Sequence, residues 1–386
     1  MYSERIDSVR TVSMETVTGF VLAGYLVCSL LLSGHETYWP LWVMLLPLSL
    51  AAFKVELLGL IWSGGSYISP EAPRSVLIVS SWLYSLLVVF TILMMARDAA
   101  GLLLSCWGIS LPMDALCLVA MLGALALATW GTWIGLQPPR VREQLVRLEN
   151  LPEHCDGLRV AVLADIHATS VNHADFVAEI VRRTNALKPD LIVLPGDMVD
   201  GAVSLRAKDV APLASLHAPL GVYAVAGNHE YYSGYNSWMA KFRALGIQVL
   251  ENSNAEILPG LTLAGVGDPV GDEGFPGQSY AVPGVDLASA VAGAKGSLIL
   301  LSHQPCVARE AESYGVDLQI SGHTHGGMML GLDRWIVAPH NKGFVAGLYQ
   351  YNQTQVYVSR GAGIWPGFTL RLGVPGEISL LTLSSR

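Results

Sequence analysis

The sequence predicts two parts: an all-α transmembrane bundle of about four helices over residues 1–138, then a layered α/β domain over residues 158–386, joined by a linker at 139–157. Three observations predict this. Charge is uneven, since residues 1–138 hold only 13 of the 54 Asp, Glu, Lys and Arg side chains. Four apolar runs near helix-spanning length fill that poorly charged part, and a span takes about 20 residues. From Leu158 onward, short apolar runs end abruptly in Asp, His or Asn beside Gly.

The four runs lie at 17–33, 41–62, 75–95 and 115–136. A cleaved signal peptide is the alternative for the first, but no small-residue cleavage pattern follows it and more spans do. The second is the soft point, because Lys54 and Glu56 sit inside it, where charge is costly. With four spans, Arg5, Arg10, Arg74, Arg140, Arg142 and Arg147 fall on one side and Arg97 alone on the other. The positive-inside bias then places both termini, and the α/β domain, in the cytoplasm. The expected setting is a multi-pass protein of a bacterial inner membrane. Gln137-Pro138-Pro139 breaks the last helix, and VREQLVRLENLP reads as a charged linker, expected to lie on the membrane as an amphipathic piece.

The net charge of −8 is spread over both parts, without a Lys/Arg stripe. That argues against nucleic acid as a partner. The bilayer and a phosphorylated small molecule or lipid are the expected partners. Five cysteines show no CxxC and no disulfide framework, which fits a reducing compartment and buried thiols.

In the second part, LRVAVLADIH ends in Asp165 and His167, and DLIVLPGDMVD in Asp197 and Asp200. GVYAVAGNHE ends in Asn228 and His229, SLILLSHQP in His303, and VDLQISGHTH in His323 and His325. Runs of four to eight Val, Leu, Ile and Ala bounded by Gly or Pro read as buried strands. Helical stretches such as ADFVAEIVRRTNALK alternate with them, so an α/β layered domain follows. Loops at the carboxyl ends of its strands converge on one edge, where open sheets place their sites.

Each motif alone has a bland reading: a turn Asp, a helix cap, a tight turn, a core histidine. Five in order, each after a buried strand, make coincidence implausible. Carboxylate, imidazole and amide oxygen form a mixed N/O donor set that suits Mn, Fe or Zn. His173, His217 and His340 read as surface residues, Asp200 as capping or orienting the Asp197 loop, and Tyr231, Tyr232 and Trp238 as packing.

In this order the motifs ADIH, GDMVD, GNHE, SHQP and SGHTHGG resemble the calcineurin-like metallophosphoesterase superfamily, over about Leu158 to Leu383. The tail SRGAGIWPGFTLRLGVPGEISLLTL is also similar to the ending of the membrane-associated bacterial branch, like the transmembrane metallophosphoesterase-domain proteins. The resemblance implies a four-layer αββα sandwich with a dinuclear metal centre, manganese being expected first, with zinc, iron or magnesium as alternatives. It implies that Asp165, His167 and His325 bind one metal, that Asn228, His303 and His323 bind the other, and that Asp197 bridges both. His229 faces the phosphate, and Glu230 orients His229 or a ligand.

The expected activity is hydrolysis of a phosphoester or pyrophosphate, lipid or soluble, by metal-hydroxide attack. His229 and Asp197 are the catalytic residues, and Asn228 and His229 meet the substrate. The alternatives are a soluble-nucleotide phosphodiesterase, an idle metal-binding sensor or scaffold, or a transporter using the spans. In an extended SGHTHGG, His323 and His325 point to one side and Thr324 away.

Overall fold

Val160 and Val162 face one way from their strand, while Ala161 and Leu163 face the other, and each face is buried against a different layer. That alternation with period two recurs in both sheets of the α/β unit. The computed structural model describes residues 22–26, 29, 71–273, 282–365 and 367–385. They divide into two units, Met1–Gly135 with Pro366–Leu372, and Leu136–Trp365 with Gly373–Arg386.

The second unit holds two six-stranded sheets. The first contains β1 (Arg140–Arg147), β2 (Arg159–Val162), β3 (Leu191–Pro195), β4 (Val222–Val225), β5 (Gln248–Val249) and β12 (Glu377–Ser384), in the order β1-β12-β2-β3-β4-β5. The other contains β6 (Ser253–Leu258), β7 (Leu261–Gly265), β8 (Ser297–Leu301), β9 (Leu318–Ser321), β10 (Gly347–Tyr351) and β11 (Thr354–Val358), in the order β10-β11-β9-β8-β7-β6. Both sheets are mixed. β2, β3, β4 and β5 run parallel, as do β7, β8, β9 and β11, with antiparallel β12 against β2 and β10 against β11.

Val160, Val162, Leu191, Val193 and Val225 pack across the sheet interface on Leu261, Leu263, Ile299, Leu301 and Ile320. On the outer face of the first sheet, Ala161, Ile192 and Leu194 meet Val177, Ile180, Trp238 and Phe242 of the helices Ala174–Ala186 and Tyr235–Ala244. Outside the second sheet, Ala264, Leu298 and Leu300 meet Leu287, Ala290 and Ala311. The layers are helix, sheet, sheet, helix, the expected α/β sandwich.

The expected linker is different. Arg140–Arg147 is not an amphipathic piece on a membrane but the edge strand β1, paired in parallel with β12 along its full length. Burial along it alternates as an edge strand's should, with Arg142 and Gln144 half-buried and Val146 buried on one face, and Val141, Glu143, Leu145 and Arg147 exposed on the other.

Among the described residues of the first unit, two helices are long and apolar enough to cross a membrane: Arg74–Ser105 and Met113–Gly135. They correspond to the expected spans 75–95 and 115–136. Most of span 17–33 and all of span 41–62, with Lys54 and Glu56, lie outside the described residues, so two of the four expected helices are on view. Arg97 is not in a loop. It lies within the first of these helices, buried and paired with Asp98 at 2.6 Å, and Asp98 also accepts hydrogen bonds from Tyr25 and Ser29.

Pro366–Leu372, expected in the α/β domain, belongs to the helical unit. Thr369 donates its backbone N–H to Ser81 Oγ (2.8 Å) and Arg371 donates to the Gly131 carbonyl (3.0 Å). Gly131 leaves the space, because a Cβ there would stand 2.5 Å from Leu370.

Candidate metal centre

All five polar loops follow the carboxyl ends of parallel strands: β2, β3 and β4 in one sheet, β8 and β9 in the other. The edge is thereby shared between the sheets. The loops after β2 and β3 are zipped together, Asp165 N–H to the Gly196 carbonyl (3.1 Å) and His167 N–H to the Asp197 carbonyl (3.0 Å). Gly322 N–H reaches the His303 carbonyl (3.0 Å) and ties the β8 and β9 loops.

Asp165, His167, Asp197, His323 and His325 all have φ between 45° and 73°. Non-glycine residues there carry steric strain, which Asp and His tolerate best, and such strain concentrates at functional sites. It turns each side chain inward at the strand end. The HxH pair is therefore not extended. Thr324 sits in the right-handed helical region between two left-handed histidines, and its hydroxyl bonds the Val345 carbonyl. His323 and His325 still part company. His323 Nδ1 lies 3.2 Å from Asn228 Oδ1, while His325 Nε2 lies 3.0 Å from His167 Nε2 and 3.8 Å from Asp165 Oδ1.

Three groups of donors converge: Asp165, His167 and His325; Asp197, His303 and His323; and His167, Asp197 and His229. His303 Nε2 is 3.1 Å from both Asp197 Oδ2 and Asn228 Oδ1, which brings Asn228 into the second group. Asp197 belongs to two groups, and its Oδ2 is 3.8 Å from His167 Nε2 and 3.9 Å from His229 Nε2. Every candidate residue named from the sequence thus stands at this edge. His173, His217 and His340 stand apart from all three groups.

Tautomers follow from the partners. His303 Nδ1 faces the Pro195 carbonyl at 2.8 Å, which can only accept, so Nδ1 carries the proton and Nε2 offers a lone pair. His167 Nδ1 donates to Asp200 at 3.0 Å, so its Nε2 also offers a lone pair, directed at His325 Nε2. The His303 lone pair therefore faces the Asn228 oxygen, and the His167 lone pair faces His325 Nε2. Asp165 Oδ2 is buried without a hydrogen-bond partner. Inward lone pairs beside an unpartnered carboxylate oxygen fit cations, and nitrogen and oxygen donors of this kind suit divalent transition metals.

Protons are otherwise the only compensation. Burial opposes charge on His303, yet Asp197 lifts its imidazole well above the ordinary range. Asp197 is held well below the carboxylate range despite burial, by His303 and His229. Burial pushes Asp165 up, and burial with His303 drives His323 down to about 3.

The structure refines the roles of two acids, and of the two readings for Glu230 it favours the one that orients a candidate ligand. Asp200 does not simply cap the Asp197 loop. Its buried carboxylate accepts from His167 Nδ1 and from His229 Nδ1, fixing both rings. Burial opposes charge on His229, but Asp200 and Asp197 outweigh it and raise the ring to about 9. Glu230 orients no histidine ring. It accepts the backbone N–H groups of Asp197 (2.9 Å), Met198 (2.7 Å), Val199 (3.2 Å) and Gly227 (2.8 Å), and so shapes the loop that presents Asp197. Gly227 must lack a side chain, since a Cβ would lie 2.3 Å from Asp197 Oδ1.

The family model described as calcineurin-like phosphoesterase matches residues 158–327. A transmembrane protein with metallophosphoesterase domain from Danio rerio is 33% identical over 278 residues, covering 69% of this chain and 62% of the relative. An uncharacterized metallophosphoesterase of Aquifex aeolicus is 33% identical over 64% of this chain and 92% of its own length. Another, from Bacillus subtilis, is 30% identical over 69% of this chain and 96% of its own. The match thus spans about three fifths of the length of the named transmembrane relative.

Proposed function

Because the chain belongs to the calcineurin-like metallophosphoesterase family, we propose that it is a membrane-anchored hydrolase of a phosphoester or pyrophosphate, working with two divalent ions. The observation that carries this reading is the convergence of seven donor residues from five strand ends, with the His303 and His167 lone pairs turned into the cluster. Asp165, His167 and His325 would hold one ion, and Asn228, His303 and His323 the other. Asp197, grouped with His303 and His323 and also 3.8 Å from His167 Nε2, would serve both. When bound, such a pair supplies water made acidic near pH 7 and charge neutralisation at the phosphoryl oxygens. Manganese is the first choice for this donor set, with zinc, iron or magnesium as alternatives.

The chain's own residues supply the remainder. Asp200 holds His229 through Nδ1 and so leaves Nε2 free to carry a proton at the cluster's mouth, where His229 is partly exposed. That N–H would bind a phosphoryl oxygen and deliver its proton to the leaving oxygen. Asn228 contributes a neutral oxygen, which keeps the site's charge favourable for an anionic substrate.

Two apolar helices and relatives named as transmembrane proteins support membrane association. We infer from this a substrate at the membrane, with phospholipids and lipid-linked pyrophosphates first and soluble nucleotides second. The Lys and Arg asymmetry of a four-span count supports a cytoplasmic catalytic unit in a bacterial inner membrane.

The test is a screen of the purified full chain on aryl phosphodiesters, nucleotides and vesicle-borne phospholipids with Mn, Zn, Fe and Mg. Metal content is measured beside it. Hydrolysis that chelation abolishes and Asp197→Asn removes is expected. A metal-loaded protein inactive on every phosphoester would replace the enzyme by an idle metal-binding scaffold.

A further inference from the structure

Seven residues beyond His323, the chain reverses the usual rule of burial. Leu330, Trp335 and Ile336 are 71%, 82% and 54% exposed. Among the described residues they are the three most exposed large apolar side chains of the catalytic unit, and all lie within seven positions. Scattered exposed apolar residues are ordinary, whereas a cluster rimmed by polar groups marks a contact surface. The segment is not a random coil. Asp333–Val337 forms a π-helical turn, and Asp333 accepts the Gly331 N–H at 2.8 Å. Asp333 also packs on Gly327, where a Cβ would approach its Cβ to 2.5 Å.

Behind the segment lies a cavity of about 370 Å³, whose lining includes Gly326, Arg334, Tyr349, Arg360 and Val374. Gly326 directly follows His325, and Arg360 directly precedes Gly361. A Cβ on Gly361 would stand 2.8 Å from Asp165 Cβ and 3.2 Å from His325 Nδ1. The wall of the cavity is therefore the back of the metal cluster. Its polar character is mostly cationic. Arg360 reaches Glu377 at 3.6 Å, while Arg334 is exposed and meets no carboxylate among the described residues. Lys342 and His340 follow on the same stretch of chain, against the single acid Asp333.

We propose that Leu330–Val337 seats in the headgroup layer of a phospholipid bilayer and that the cavity behind it receives the anionic headgroup of a lipid. Its residue types carry the assignment: Trp with aliphatic side chains is the composition of interfacial anchors, and a nearby Arg complements lipid phosphate. The same chain carries two helices long and apolar enough to span a bilayer, so a bilayer is within its reach. The headgroup assignment rests on the proposed phosphohydrolase reading, whereas the seating of the segment does not.

The experiment uses the full chain in phosphatidylcholine nanodiscs, with and without phosphatidylglycerol. Emission of Trp335 is read as the difference between the natural chain and Trp335→Phe, in discs with brominated or ordinary acyl chains. Quenching of that difference by bromolipid is the expected result. Equal emission in the two discs overturns the proposal and leaves a protein partner or a second copy as the cover for the patch. A triple variant, Leu330→Ser, Trp335→Ser and Ile336→Ser, is then compared with the natural chain on a vesicle-borne phosphodiester and on bis(4-nitrophenyl) phosphate. We expect KM to rise about tenfold on vesicles, and to stay constant on the soluble ester, as lost interfacial anchoring requires. An equal loss on both substrates overturns the headgroup assignment. If the natural chain hydrolyses neither substrate, the phosphohydrolase reading and the headgroup assignment fall, and bromolipid quenching still decides the seating of the segment.

Discussion

The metal edge and the Leu330–Val337 segment are close in sequence and opposite in character. At the edge, polar residues are buried: Asp165, His167, Asp200, Glu230 and His303 are fully shielded. In the segment, apolar residues are exposed, Trp335 most of all. Each breaks the ordinary rule of folding within a short stretch of the second unit. The difference teaches how to separate function from stability. Buried polar groups cost free energy unless each is paired, so their neighbours are over-determined. Exposed apolar groups carry little native packing, so the fold hardly depends on them.

The sharpest break of this contrast is at the shared carboxylate. Asp197→Asn should lower kcat on an aryl phosphodiester by on the order of a thousandfold, the scale of losing a main electrostatic group. Metal analysis should show a parallel loss of bound ions. Full activity in that variant would move the chemistry elsewhere. Next comes Gly227→Ala. The added Cβ displaces Asp197 or His303, and a displacement near 1 Å costs about a hundredfold. Turnover at saturating metal would check it.

Asp200→Asn keeps the shape but weakens the hold on His167 and His229. Loss of such a supporting partner typically costs 10–100-fold in metal affinity or activity, so a value in about that range is expected. Metal titration beside kinetics would separate the two.

Stability supplies the last comparison. Trp238 is fully buried between helices, with its indole N–H on the Gly201 carbonyl at 2.9 Å. Trp238→Ala should cost about 3–5 kcal/mol. Trp335→Ala should change stability by no more than about 0.5 kcal/mol, since its side chain is 82% exposed. Denaturant melts of the two variants would measure this, and a large loss at Trp335 would show that the segment is structural.

Much of the edge was legible because strand ends punctuate sequence. An apolar run followed by Gly and a donor is a local signal, and five of them in order left little freedom. The expected donors and the sandwich follow from it. Asp200 and Glu230 were less legible. Both follow a motif donor closely, but their partners come from other strands: Asp200 spans to His167, and Glu230 to the backbone of 197–199. A second acid in GDMVD and one in GNHE is all the signal the chain offers. β1 is hard to read from sequence because an edge strand needs only one buried face and can carry many charges. Pro366–Leu372 carries no local sign of its place, since its partners Ser81 and Gly131 lie more than 200 residues away.

The layered α/β domain, the apolar helices and the candidate donors are legible in the sequence, since periodicity, composition and local punctuation are properties of neighbouring residues. Only the tertiary structure decided how the donors are shared. It set His323 beside Asn228 and His325 beside His167 through left-handed backbone, not through an extended HxH. It also placed a cavity and an exposed apolar segment against the same loop. Those are relations between chain segments far apart, and they exist only when two sheets have packed and brought their strand ends to one edge.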